Sequence, residues 1–276
     1  FPVANAGNNV SICSGSSAPL GSLPTAGFTY SWFPSTGISN PGIANPVISL
    51  STTNSIPDTL LYAVIVQNSF GCNDSDTVQI IVRPVPTANA GNDISFCSGA
   101  SGTIGTSATA NYAYSWNPAT GLGNSTGSNT SVTLTTSLTS NDTIPYVITT
   151  TLFGCIDRDT VKVIVRPIPT ANAGSNQLLC SGNTLNLGTS STSGYNYSWT
   201  PSTGLSNTTI SNPTLNLNID STAIDPDTLF YVVVTTLNGC TNRDTVQIIL
   251  SPVPVAAAGN DVIFCSGQSV VVGTSS

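Results

Sequence analysis

The chain has 276 residues, with 5 Lys+Arg against 12 acidic residues, all of them Asp, and it contains no His, Glu or Met. Without His and Glu, triads, zinc sites and acid/base pairs that rely on imidazole or glutamate cannot be assembled from it. A net charge of −7 with no basic cluster argues against nucleic acid or anionic membrane as partner.

The 38 Ser, 39 Thr and 27 Asn favour turns and strands over helix interiors. Hydrophobic residues make up 39% of the chain, enough for a core, and they fall in β-branched runs such as TVQIIV at 77–82. Such runs separate globular β-structure from disorder. No apolar run approaches the roughly 20 residues that span a bilayer, so direct membrane insertion is not expected.

One motif is written three times and begun a fourth. Cys-Ser-Gly recurs at Cys13, Cys97, Cys180 and Cys265, at spacings of 84, 83 and 85 residues. The same period carries Ala-Gly at Gly7, Gly91, Gly174 and Gly259, Tyr-Ser-Trp at Trp32, Trp116 and Trp199, and Gly-Cys at Cys72, Cys155 and Cys240. A unit of this length suits a small β-sandwich rather than a helical solenoid. The expected domains are residues 1–83, 84–166 and 167–251, followed by 252–276 as the start of a fourth.

Within each unit, a short strand runs up to Cys-Ser-Gly, a second follows (184–187, TLNL), and a third holds Tyr-Ser-Trp. The turn W-x-P-[SA]-T-G-[IL] comes next, as at 32–38, with Pro and Gly setting torsions that a strand does not tolerate. Alternating stretches follow, VTLT at 132–135 and LNLNI at 215–219. A hairpin closes the unit, with arms at 231–236 and 245–250 and its turn at 237–240. Pro-x-Pro links at 84–86, 167–169 and 252–254 favour extended backbone, so successive domains are expected to stand apart as a stiff rod. The fourth unit holds about two strands, too little to fold alone, and is expected to be completed by further sequence or by a neighbour.

The seven cysteines alternate regularly without Cys-x-x-Cys or His, which points to disulfides and an oxidising, extracellular compartment. Intradomain pairs Cys13–Cys72, Cys97–Cys155 and Cys180–Cys240 are preferred because each closes inside one unit, leaving Cys265 for a missing partner. The rival pairing joins Cys72 to Cys97 and strands Cys13. Gly-Cys is expected to be exposed at its hairpin turn.

Trp32, Trp116 and Trp199 are read as core residues between two sheets, with a carbohydrate platform as the lesser alternative. Tyr62, Tyr146 and Tyr231 each follow an Asp by four residues, as in a tyrosine corner, and are also read as structural. No cofactor is expected. The Asp-x-Asp pairs Asp74/Asp76 and Asp157/Asp159 are the one candidate for calcium, although the third unit has Asn242 and Asp244 there and no EF-hand spacing occurs. Six Asp-Thr-aliphatic triplets place Thr59, Thr77, Thr143, Thr160, Thr228 and Thr245 after an Asp, as turn ends leading into strands.

The unit A-N-A-G-N-D-x-x-x-C-S-G, then Y-S-W-x-P-x-T-G-L, Y-x-V-x-x-T-x-x-G-C and D-T-V, resembles the PKD-like and immunoglobulin-like repeats of giant Bacteroidota surface proteins. The resemblance covers the whole chain. It implies all-β tandem immunoglobulin-like domains in a stalk of a cell-surface adhesin, the class that includes SprB-type gliding adhesins exported by type IX secretion. It also implies O-glycosylation at Asp-[Ser/Thr]-aliphatic triplets, hence at the six threonines, with Ser221 a weaker match. The expected role is a non-catalytic structural segment whose partners are further repeats of the same chain or identical chains. Two alternatives stand beside it. In one, the unit loops bind a surface glycan or protein, although the loop after Trp32 lacks the Trp, Tyr and Arg of binding loops. In the other, the incomplete unit is completed by strands of the next chain, as in donor-strand addition.

Overall fold

The computed structural model describes residues 1–219, 225–254, 256 and 258–273. Among the described residues, all regular structure is strand. The first repeat contributes β1 (Val10–Cys13), β2 (Ser17–Pro19), β3 (Phe28–Phe33), β4 (Val47–Ser49), β5 (Asp58–Asn68) and β6 (Asn73–Arg83). In the second come β7 (Ile94–Cys97), β8 (Ser101–Gly105), β9 (Ala113–Asn117), β10 (Asn129–Thr133), β11 (Asp142–Leu152) and β12 (Cys155–Arg166). The third holds β13 (Gln177–Cys180), β14 (Thr184–Asn186), β15 (Asn196–Thr200), β16 (Thr214–Asn216), β17 (Asp227–Leu237) and β18 (Cys240–Ser251).

Each repeat builds the same two sheets. Four strands order as β1-β6-β5-β3, β7-β12-β11-β9 and β13-β18-β17-β15, and two-stranded sheets β2-β4, β8-β10 and β14-β16 face them. The first strand runs parallel to the last, Val10 opposite Ile80 and Gln177 opposite Ile248, while the hairpins are antiparallel. This is a tandem immunoglobulin-like β-sandwich. The chain divides into two compact units, Phe1–Thr135 with Asp142–Val165, and Thr136–Asn141 with Arg166–Ser276.

Alternation along the long hairpin arms produces the core. In β5 and β6, Tyr62, Val64, Val66, Val78, Ile80 and Val82 point inward and meet Trp32, Ile12 and Ile48. The other two repeats bury the equivalent set around Trp116 and Trp199. Each indole donates its N–H to a backbone carbonyl, of Ile43, Gly127 or Ile210, at 2.9–3.0 Å. With all three tryptophans only 3% exposed, no ring face is open for a sugar to stack on, which overturns the carbohydrate-platform alternative.

The hairpin is longer than its sequence pattern suggests. Its arms in the third repeat run Asp227–Leu237 and Cys240–Ser251, joined by Asn238-Gly239 alone. Both turn residues have positive φ, 50° and 81°, the geometry of a two-residue hairpin turn. In the second repeat Phe153 takes the same conformation at φ 49°, an unusual one for a bulky residue. Cys155 and Cys240 therefore open a returning strand rather than sit in a loop, and both are 1% exposed, contrary to the expected exposure.

The Pro-x-Pro links also differ from expectation. Pro84, Pro86, Pro167 and Pro169 are buried while Val85 and Ile168 between them are exposed. The link keeps the expected extended backbone, alternating like a strand, and buries its prolines. In the first compact unit the first two repeats do not stand apart. Arg83 at the end of β6 donates from a terminal guanidinium nitrogen to the Phe153 carbonyl oxygen at 2.7 Å.

Candidate functional site

Two sets of polar side chains explain most of the repeated columns. The carboxylate of Asp76 accepts the Ala6 N–H at 2.8 Å, and Asp159 and Asp244 do the same for Ala90 and Ala173. Asp74 and Asp157 accept from Ala4 and Ala88 at 2.9 Å. One residue class further on, Asn9, Asp93 and Asn176 accept from Gln79, Lys162 and Gln247 in the last strand. The A-N-A-G-N-D and D-x-D-T columns are thus two sides of one seam. It ties the segment before the first strand to the strand that ends the unit.

The Asp-x-Asp pairs consequently spend carboxylate oxygens on backbone N–H groups. Among the described residues no group of three His, Cys, Asp or Glu is arranged to hold a metal ion. Because Ala90 is fully buried, Asp159→Ala leaves its N–H without an acceptor or water. A destabilisation of about 1.5–3 kcal/mol is expected for this substitution, read as a lowered denaturant midpoint. A midpoint shift below about 0.5 kcal/mol, the range of ordinary surface substitutions, would contradict the seam.

The buried tyrosines make a second fixed contact. The hydroxyls of Tyr62, Tyr146 and Tyr231 donate to the carbonyl oxygens of Thr36, Thr120 and Thr203 at 2.7, 2.5 and 2.7 Å. Burial raises all three hydroxyl pKa values above the ordinary 10.0. The unfolded chain then ionises first as pH rises. Stability is complete below pH 10 and is lost as pH climbs toward the raised folded values. Chemical denaturation at stepped alkaline pH, with tyrosinate absorbance recorded in parallel, is expected to show stability falling before these rings ionise. Ionisation at the ordinary pKa with unchanged stability would contradict this assignment.

The disulfides depart from both sequence readings. Cys13 is bonded to Cys155, with Cα atoms 5.7 Å apart and 142 residues between them in sequence. Cys97 and Cys240 are also disulfide-bonded. Cys72, Cys180 and Cys265 are free. The intradomain pairs Cys13–Cys72, Cys97–Cys155 and Cys180–Cys240 are therefore wrong, as is the rival Cys72–Cys97.

The sheet register supplies the reason. Cys13 at the end of β1 lies opposite Arg83 at the far end of β6, whereas Cys72 immediately precedes the start of β6. Eleven residues of strand separate those ends, about 36 Å at the usual rise. A disulfide needs Cα atoms within about 7 Å. The cysteine of one repeat's base instead meets the hairpin tip of the next, where Arg83 already holds the Phe153 carbonyl. In the second compact unit Arg166 makes the corresponding bond to Asn238 at 2.6 Å. These arginines went unremarked in the sequence. Their signal was there, since two of only five basic residues occupy equivalent Arg-Pro positions.

The six Asp-Thr-aliphatic threonines all lie exposed on strands. Thr59 on β5 and Thr77 on β6 share the outer face of the first four-stranded sheet, paired with Ile81 and Ala63. Thr143 and Thr160, and Thr228 and Thr245, repeat that placement. After Thr77, Thr160 and Thr245 the aliphatic residue turns into the core as Val78, Val161 and Val246. Beside Thr52 and Asn54, both of which donate to it, the Asp58 carboxyl is held below its ordinary pKa. Large apolar side chains share the outer face, among them Phe33 at 74% and Leu61 at 64% exposure. Ser221 lies outside the described residues.

No family model matches the chain, and no curated protein matches it in sequence. Solved structures of similar fold are tandem immunoglobulin-domain segments. The I67–I69 fragment of the titin I-band matches at 13% identity and TM-score 0.47, over 91% of this chain and 100% of that one. Extracellular domains 3–5 of Drosophila OTK match at 10% identity and TM-score 0.38, over 90% and 95%. Immunoglobulin domains 1–5 of Sidekick-1 match at 17% identity and TM-score 0.33, over 90% and 61%.

Proposed function

We propose that the chain is a non-catalytic structural segment of an extracellular filament or cell-surface adhesin stalk, of the Bacteroidota type that its repeat resembles. The reading rests on the Cys13–Cys155 bond, which links consecutive repeats instead of closing one. An enzyme or a freely swivelling binding module gains nothing from such a link. A stalk that carries tension gains a covalent path around each repeat it spans. The chain has no His or Glu, and Asp74, Asp76, Asp93, Asp157, Asp159 and Asp244 accept backbone N–H groups and so serve the fold.

The outward Asp-Thr-aliphatic threonines fit O-glycosylation. Sugars there would cover Phe33 and Leu61 and shield a surface that is only 6% charged. Protein isolated from its native host is expected to have an intact mass above that of the polypeptide, with glycan on peptides holding Thr59, Thr77, Thr143, Thr160, Thr228 or Thr245. An unmodified mass together with reduced Cys13 and Cys155 would contradict the extracellular stalk.

A further inference from the structure

The loop leading into the tryptophan strand is the same four-residue turn in every repeat, with one exception. The N–H groups of Phe28, Tyr112 and Tyr195 donate to the carbonyls of Thr25, Thr109 and Thr192. The same threonines donate their N–H groups to the hydroxyls of Tyr30, Tyr114 and Tyr197. The third turn residue takes positive φ, and in the first and third repeats it is a glycine, Gly27 at 82° and Gly194 at 81°. In the second repeat it is Asn111, at 65°. Glycine adopts this conformation without steric cost, so a side chain placed there is carried against the preference of the backbone. Asn111 is exposed, and its amide has no hydrogen-bond partner among the described residues.

Asn111 lines a cleft of about 490 Å³ in the first compact unit, within the range of small-ligand sites. Its turn forms one wall with Tyr112, the loop at 53–56 of the first repeat forms the other, and Pro84, Val85 and Leu152 supply apolar surface between them. Both walls are fixed by the protein itself. On the first-repeat side, Thr52 donates its N–H to the Ser14 hydroxyl at 2.9 Å, and Asn54 donates its N–H to the Thr52 hydroxyl at 3.0 Å. The Asp58 carboxylate accepts the Thr52 hydroxyl and the Asn54 amide at 2.5 and 2.6 Å, so it is spent behind this wall. The Cys13–Cys155 bond and the contact of Arg83 with the Phe153 carbonyl hold the two repeats together. No side chain lining the cleft carries a charge at neutral pH.

We propose that this cleft binds a neutral saccharide, with the Asn111 amide and the Tyr112 ring as its principal contacts. An amide presents donors and an acceptor side by side, the set that two adjacent sugar hydroxyls require. Tyr112 is half-buried and leans on Tyr114, ring centroids 6.3 Å apart. With Val85, which is 42% exposed, it offers apolar surface to the C–H face of a pyranose, as the closed tryptophans do not. A charged ligand finds no counter-ion in the lining, and an anion also meets a chain of net charge −7. Walls that are already formed spare the ligand the cost of ordering two loops. A stalk segment serves with or without such a site, so the outcome of the test leaves the stalk reading untouched.

The test titrates the full oxidised chain, produced without glycans, with D-glucose, D-galactose, D-mannose and N-acetyl-D-glucosamine, and with D-glucuronate as the charged comparison, while amide resonances are followed by NMR. At least one neutral sugar is expected to give saturable shifts at residues 53–56 and 109–112, with a dissociation constant on the order of 1 mM. D-glucuronate is expected to bind about tenfold more weakly than that sugar, or not at all. Asn111→Gly installs the residue that the other two repeats carry, so it is expected to fold with an unchanged denaturant midpoint while weakening the sugar about tenfold. No saturable shift with any of the four neutral sugars, shifts confined to other residues, equal affinity for D-glucuronate, or equal affinity in Asn111→Gly would overturn the proposal.

Discussion

Held between Phe1 and an attachment at the exposed Ile168 and stretched, the oxidised protein is expected to yield almost none of the length stored in its first two repeats. The Cys13–Cys155 bond places the 142-residue span between those cysteines outside the path of force. After reduction the same pull is expected to release that span, about 500 Å at the reach of an extended chain. Pairs confined to single repeats would instead leave the link between repeats free to extend in oxidised protein, and the oxidised trace would then lengthen. The same bond stabilises the fold by restricting the unfolded chain. A loop of this size corresponds to about 5 kcal/mol in the chain-entropy model, with measured values commonly nearer 2–4 kcal/mol.

Substituting Gly105 is expected to be the most damaging single change in the core of the second repeat. This glycine ends β8 at φ 86° and donates its N–H to the Ala90 carbonyl. An added Cβ would run into the Ser128 carbonyl oxygen and stand 3.0 Å from the Trp116 ring. Gly105→Ala therefore combines left-handed backbone strain of about 1–2 kcal/mol with overpacking of about 1–3 kcal/mol. Gly99→Ala is the matched control, because Gly99 has φ 83° but nothing within 4 Å of an added Cβ. Peptide-resolved hydrogen exchange is expected to show the second repeat opening at least tenfold more often in Gly105→Ala than in Gly99→Ala. Equal exchange in the two variants would remove the steric part of the argument.

The repeat, the all-strand character and the burial of Trp32, Trp116 and Trp199 were readable in the sequence because each depends on local alternation and period. The pairing of cysteines was not. It depends on which end of a strand each cysteine occupies, and the parallel register of β1 on β6 is a long-range fact that periodicity does not carry. The role of the Asp-x-Asp columns was hidden for a related reason. Two nearby carboxylates look like cation ligands until the Ala4 and Ala6 N–H groups, 70 residues away, are seen to use them. The extended backbone of the Pro-x-Pro links was legible from proline, but the bond from Arg83 to the Phe153 carbonyl, 70 residues away, was not.

The central claim is that a disulfide joins one repeat's base to the next repeat's tip, and an unreduced peptide map with alkylated free thiols tests it most directly. The account predicts a peptide pair linking Cys13 to Cys155, with Cys72 linked to neither Cys13 nor Cys97. A Cys13–Cys72 or Cys97–Cys155 pair would contradict it, because each repeat would then be closed on itself and no disulfide would bridge one repeat to the next.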